Sequence, residues 1–449
     1  LAAPKVFKPN KEFIKFLPIV YFNHVKTIIM KKIFRFMYVA ITAAALLALQ
    51  GCLKDDCTRT YRMYQPIYKS LTQVRADMKS TTPQALKNTG KLNVVGDYIF
   101  LNEVSKGIHV IDNSNPSAPK NIGFINIPNN VDIAVKGSYL YADSYSDVIV
   151  FDISSPTNVK PVKFMNNVMK EKNVYWYSGI TNADSISVVI GYTEKDTTVD
   201  CNTYNRWANC PSCSAGLFSS SQAYAAAPQA IGVGGSMASF TIAADYLYAV
   251  SSQSLYCINI TDGANPQQTA VKALGWGIET IYPFQNKLFI GSRTGMFIYD
   301  LTNPANPSAQ GQFSHATRCD PVIADAQYAY VTLRGGTACN GVTSELEVID
   351  ISNLSAPVLK ARHNLNNPYG LSKDGATLFV CDGKEGLKVY NASAPLNLQL
   401  IKEIKGLETY DVIAMDNRAI VVAKDGLYQY DYSNPANIVQ VSKLSITKN

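Results

Sequence analysis

Four carboxylates recur at matching places in this chain: Asp132 in NVDIAV, Glu279 in WGIETI, Asp320 in RCDPVI and Asp411 in TYDVIA. Asp132 and Asp411 each stand 20 residues before a recurring acidic turn residue, and Glu279 and Asp320 fit that column within a residue or so. Arg318, Trp276, Tyr369 and Tyr410 lie beside them. Acids gathered at a concave mouth would bind a cation, an amine or a sugar hydroxyl, and such mouths are where ligands usually sit. Two of them at about 5 to 9 Å would instead suit hydrolysis of a glycosidic bond. An inner-strand acid also has a plain structural use, hydrogen bonding to its neighbours or to channel water. These residues form the candidate ligand site, with a glycan-active hydrolase or lyase as the alternative.

A second candidate lies between the second and third of the recurring turns, at about residues 166–235. That segment includes strand-forming stretches, NVYWYSGI and SISVVIGYTEK, and then a polar, small-residue loop. Trp176, Tyr204 and Trp207 would supply aromatic faces for sugars or peptide side chains, or else pack the insertion down. Cys201, Cys210 and Cys213 fall in the same loop. Three ligands make a poor structural zinc site, so one disulfide among them is expected after export, with its pairing open. Cys319 and Cys339 flank one repeat and form the best further pair, whereas Cys257 and Cys381 sit in apolar strands as buried thiols. No nucleophile elbow, P-loop, dinucleotide fingerprint, paired-histidine motif or calcium loop is present. The histidines at 24, 109, 315 and 363 are scattered, so neither a metal nor a cofactor is expected.

These residues are positioned by a repeat. Seven stretches share one wording: GIHVIDNSNP, DVIVFDISSP, SLYCINITDG, GMFIYDLTNP, ELEVIDISNL, GLKVYNASAP and GLYQYDYSNP. Their turn residues are Asp112, Asp152, Asn259, Asp300, Asp350, Asn391 and Asp431, at spacings of 40, 107, 41, 50, 41 and 40. The apolar run suits a strand buried on both faces. The Asp or Asn that follows starts a turn by binding nearby amides, and proline presets the backbone there. An upstream partner strand such as YLYADS, a short strand before it and a fourth after the turn make four antiparallel strands per repeat. That is the size of one propeller blade.

The apolar run ending in Val/Ile-Asp resembles the LVIVD-repeat proteins, and the layout is similar to their bacterial lipoprotein members. The likeness covers about 61–444 and implies an all-β, seven-bladed β-propeller of four-stranded antiparallel blades, with a long insertion after the second blade. It brings no established activity. A ring needs its ends joined, and RTYRMYQPIY (Arg59–Tyr68) is expected to add a strand beside the last blade, hiding exposed edges.

The N-terminal region reads as an export signal. Residues 1–29 look like upstream sequence wrongly joined, and 30–51 carry a basic start, MKKIFRFM, and the apolar run YVAITAAALLAL. That run is too short to span a bilayer. It ends in LQGC, similar to a lipobox, which makes Cys52 the expected lipidated N-terminus, with a tether over 52–60 and the propeller over 61–449. Residues 1–51 hold eight Lys or Arg and one Glu, equal to the whole formal charge of +7. The mature chain is near neutral, which gives no reason to expect nucleic acid. Lys54, Asp55 and Asp56 resemble a surface-export signal, so the expected place is the outer membrane facing outward, with a periplasm-facing anchor as the alternative. The sequence therefore points to a monomeric, membrane-anchored binding or scaffold module for glycan, peptide or envelope protein.

Overall fold

A computed structural model describes residues 35, 37, 58–172, 186–200, 235–315, 321–335 and 343–447. The chain divides into two compact units, one of residues 64–193 and 217–449, the other of residues 1–63 and 194–216. In the smaller unit, Arg62 pairs with Glu194 at 3.0 Å and Asp196 at 3.1 Å, all exposed. The larger unit holds seven antiparallel sheets, each taking four strands from its own repeat. These are the expected blades: 89–126, 133–165, 240–273, 278–314, 322–364, 371–404 and 409–445. The chain folds as an all-β, seven-bladed propeller.

Each blade runs from an inner first strand to an outer fourth. The first strands touch those of neighbouring blades, while fourth strands such as Val358–Asn364 alternate between half-buried and exposed. Second and third strands are buried on both faces, as in Tyr139–Ser144 and Asp147–Asp152. Their side chains form seven apolar clusters, one at each interface between blades. This arrangement explains why the third strands show no polar–apolar alternation: both faces meet another sheet.

The repeated wording resolves into contacts. Every anchor side chain accepts from the amide two residues on: Asp112 from Ser114 (2.9 Å), Asp152 from Ser154 (2.8 Å), Asn259 from Thr261 (2.9 Å) and Asp300 from Thr302 (2.6 Å). The same bond joins Asp350 to Ser352, Asn391 to Ser393 and Asp431 to Ser433. The turn bond itself uses only Oδ1, so Asn serves it as well as Asp. The glycine opening the motif has its own reason. Gly107 has φ +149° and Gly295 φ +152°, and a Cβ at either would overlap the carbonyl oxygen of Ile125 or Phe313 in the adjoining fourth strand.

Ring closure departs from expectation. Arg59–Tyr68 does not join the last blade; its strand, Thr58–Ser70, forms a two-stranded sheet with Ser187–Asp200 of the insertion. The outer strand of the last blade is Val439–Ser445, from its own repeat. Blades 1 and 7 instead meet through side chains. Leu92, Ile99 and Leu101 pack on Ile413, Ile420 and Val422. Asn113 and Gln429 exchange amide hydrogen bonds at 2.6 and 3.3 Å, and the Thr447 amide donates to the Leu86 carbonyl at 2.8 Å.

Gly295→Ala should destabilise the propeller by about 1–3 kcal/mol through backbone strain. Asn391→Asp should stay within about 0.5 kcal/mol of wild type. Urea unfolding of the two variants beside the parent checks both values.

Candidate functional site

The inner strands position the site, and their bulges decide which side chains face where. Pairing of Ile278–Phe284 with Lys287–Ser292 slips between Ile278 and Thr280, leaving Glu279 as an extra residue. The same slip between Thr409 and Asp411 leaves Tyr410 extra. A bulge re-aims its side chain. Thr280, 20 residues before its anchor, therefore takes the column of Asp132 and Asp411, and Glu279 turns to the mouth instead.

The channel is crossed by the chain itself. Residues 235–239, returning from the insertion to blade 3, touch blades on opposite sides of the ring. Gly235 packs so closely on the Asp411 carboxylate that no Cβ would fit. Ser236 Oγ accepts from the Leu371 amide at 2.8 Å, and the Ala238 carbonyl accepts from the Ile281 amide at 2.6 Å. Ser239 reaches Asp132 in blade 2.

Asp132 and Asp411 are both fully buried, each at 0% exposure, and their surroundings differ. Asp132 Oδ2 accepts from Lys91 Nζ (2.8 Å), Ser239 N (2.6 Å), Ser239 Oγ (2.7 Å) and Phe240 N (3.0 Å), and its Oδ1 accepts from Ile133 N (2.8 Å). Asp411 Oδ1 accepts from Val412 N at 3.0 Å, the Ser236 backbone also lies against the carboxylate, and no hydrogen bond is made to Oδ2. Burial pushes the Asp411 carboxyl well above the usual range. The Asp132 charge adds to that, while the Val412 amide and the Lys91 ammonium oppose it. Asp132 is cradled by donors on both oxygens, whereas Asp411 favours its proton.

Over this floor lies a cavity of about 430 Å³ whose wall draws on blades 1 to 6. Trp276, 78% exposed, stands at its rim. Glu279 accepts from Arg293 Nε at 2.8 Å. Arg334 lies 4.0 Å over the ring of Tyr369, which meets Tyr410 edge to face at 5.3 Å. Met237, Val250 and Ile278 give the wall an apolar part, and Lys91 and Ser239 belong to it at the base.

Of the predicted site residues, Trp276, Glu279 and Tyr369 line this cavity, with Tyr410 behind Tyr369 and Asp132 and Asp411 beneath. Cys52, Trp176, Tyr204, Trp207, Arg318, Asp320, Cys319 and Cys339 lie outside the described residues. Cys257 and Cys381 are buried free thiols, and burial pushes Cys257 up to about 12. His109 is buried against Glu103, at 3.1 Å. Sequence reasoning missed Lys91, Ser239, Arg293 and Arg334. The last two follow their blade's second strand, in the column of Val104 and Ser252, so aligning those turns as well as the inner strands would have exposed them.

Fold and site together define a seven-bladed β-propeller in which residues 235–239 run beneath a cavity at the channel mouth. The chain carries LVIVD repeats: the family model described as LVIVD repeat matches residues 88–126, 129–165 and 325–364. Those segments fall on blades 1, 2 and 5. Among solved structures, the chain is similar to Sqt1 of Saccharomyces cerevisiae, at 8% identity and TM-score 0.47, over 86% of this chain and 89% of that one. It is similar to a protein from Lactobacillus plantarum at 12% identity and TM-score 0.49, over 81% and 96%. It is also similar to BamB from Moraxella catarrhalis at 8% identity and TM-score 0.46, over 84% and 97%. No curated protein matches the chain.

Because Asp411 is raised in the folded state, its contribution is fully present below its unfolded value and lost as pH rises through the folded one. Asp411→Asn carries no charge to desolvate. Denaturant titrations at acid and at mildly alkaline pH should show the variant losing less stability than wild type between them, by about 1 kcal/mol or more.

Proposed function

We propose that this protein is an outer-membrane lipoprotein, anchored through Cys52 and facing the cell exterior, whose propeller binds a glycan, peptide or envelope protein at its mouth. The observation that carries the binding site is Trp276, a large aromatic held 78% exposed on the rim of a cavity. An exposed indole offers a large apolar face and a polar N–H, the combination for which Trp is enriched at contact surfaces. The paired Glu279 and Arg293 beside it supply acceptors and donors for orientation.

Binding is favoured over turnover by the state of the two aligned acids. A glycosidase needs two carboxyl groups that reach substrate. Asp132 is saturated by five hydrogen bonds, and Asp411 is packed between Gly235 and Gly370. The anchoring part of the proposal is supported by the sequence: a basic, apolar leader ending in LQGC, then LKDDC. Acyl chains on Cys52 would hold the chain firmly, since each buried methylene contributes about 0.8 kcal/mol. A near-neutral mature chain acting as a monomer fits such a module.

An impermeant protease added to intact cells should digest the propeller as completely as it does after lysis. Protection until lysis would overturn the outward orientation and leave the periplasm-facing anchor.

A further inference from the structure

We infer that the mouth takes an uncharged saccharide residue, its ring stacked on Trp276 and a pair of its hydroxyls read by Glu279 and Arg293. The inference rests on the proposed binding role of the mouth and narrows it to one ligand class.

Trp276 is set for stacking by its backbone. Its neighbours Gly275 and Gly277 have φ values of +103° and +76°, conformations that favour glycine, and a Cβ on Gly277 would come within 3.1 Å of the Arg293 side chain. Gly-Trp-Gly therefore presents the indole outward and seats the following turn against Arg293. A flat aromatic face offers dispersion and C–H contact to the apolar face of a pyranose without demanding charge.

The polar group beside it selects against ions. Glu279 and Arg293 are already paired at 2.8 Å, with side-chain exposures of 17% and 50%. Each hydroxyl is donor and acceptor at once, so neighbouring sugar hydroxyls can add bonds to carboxylate and guanidinium while leaving the pair intact. A charged ligand group gains little here, because the partner that would attract it is already neutralised by the pair and the other partner repels it. Deeper in, Lys91 is matched to Asp132 at 2.8 Å and offers no spare charge. Met237, Val250 and Ile278 can receive the sugar's C–H face, and Ser252 adds an exposed hydroxyl at the edge. A cavity of about 430 Å³ falls within the usual range for small ligands, about 300–1,000 Å³.

The test uses the purified chain against three immobilised sets: neutral oligosaccharides, uronic-acid oligosaccharides and short peptides with free or amidated ends. Tryptophan fluorescence follows binding in solution. Neutral oligosaccharides should bind, with affinity nearly unchanged between about 50 mM and about 500 mM salt, because no ion pair forms on binding. Trp276→Ala should weaken binding about tenfold or more and Trp276→Phe by less, each about 1.4 kcal/mol counting as a factor of ten. Glu279→Gln provides a second surface variant and should weaken the same sugars. Thermal unfolding of each variant confirms that it folds. Uronic-acid sugars or peptides binding in a Trp276-dependent, salt-sensitive way would overturn the saccharide inference and leave the mouth as a binding site. Neutral sugars binding equally to wild type and Trp276→Ala would overturn the site itself. Failure of all three sets to bind would overturn both.

Discussion

One buried carboxylate organises the centre of this molecule. Asp132 sits at 0% exposure and collects an ammonium, a hydroxyl and backbone amides, joining three pieces of the chain. Lys91 belongs to blade 1, Asp132 to the entry of blade 2, and Ser239 and Phe240 to the entry of blade 3. An unpaired charge at this depth would cost several kcal/mol, so removing any strong donor leaves the rest strained. The interaction fixes where the chain returning from the insertion must enter the ring. That entry path runs beneath the mouth lined by Trp276, Glu279 and Tyr369.

Much of the fold could be read from the residues because its constraints are local. A turn that needs an Oδ1 two residues before an amide leaves its mark in each repeat, and a glycine set beside a neighbouring carbonyl opens four of the seven. What the sequence did not show is non-local. The slip that makes Glu279 a bulge is visible only in pairing with Lys287–Ser292, so the acid column looked better matched than it is. Ring closure was misplaced for a related reason. Arg59–Tyr68 reads as a strand, and it is one, but sequence alone cannot say that its partner is Ser187–Asp200. The crossing at 235–239 has almost no sequence signal beyond small residues, GSMAS, where backbone packs on backbone and carboxylate.

Stability and recognition are thereby assigned to different layers. Seven apolar clusters between blades hold the ring, including the seam between blades 1 and 7, where side chains replace an exchanged strand. Rigid walls are what a binding mouth requires, since ordering a loop on binding subtracts from affinity. The contrast between Asp132 and Asp411 follows from the same geometry. Both stand 20 residues before their anchors, yet only Asp132 finds amides of the next entry strand to cap. Asp411 meets Gly235 and Gly370 and keeps one oxygen unpartnered. Equivalent positions in a repeat are not equivalent sites.

The claim on which the account depends is that Ser239 and Phe240 are locked onto Asp132 within the channel. Native-state hydrogen exchange of these two amides measures it directly. The account predicts protection close to that of the blade cores, exchanging only with global unfolding. Exchange at the rate of an exposed loop would mean that the crossing segment leaves the channel, and the floor of the mouth would have to be redrawn.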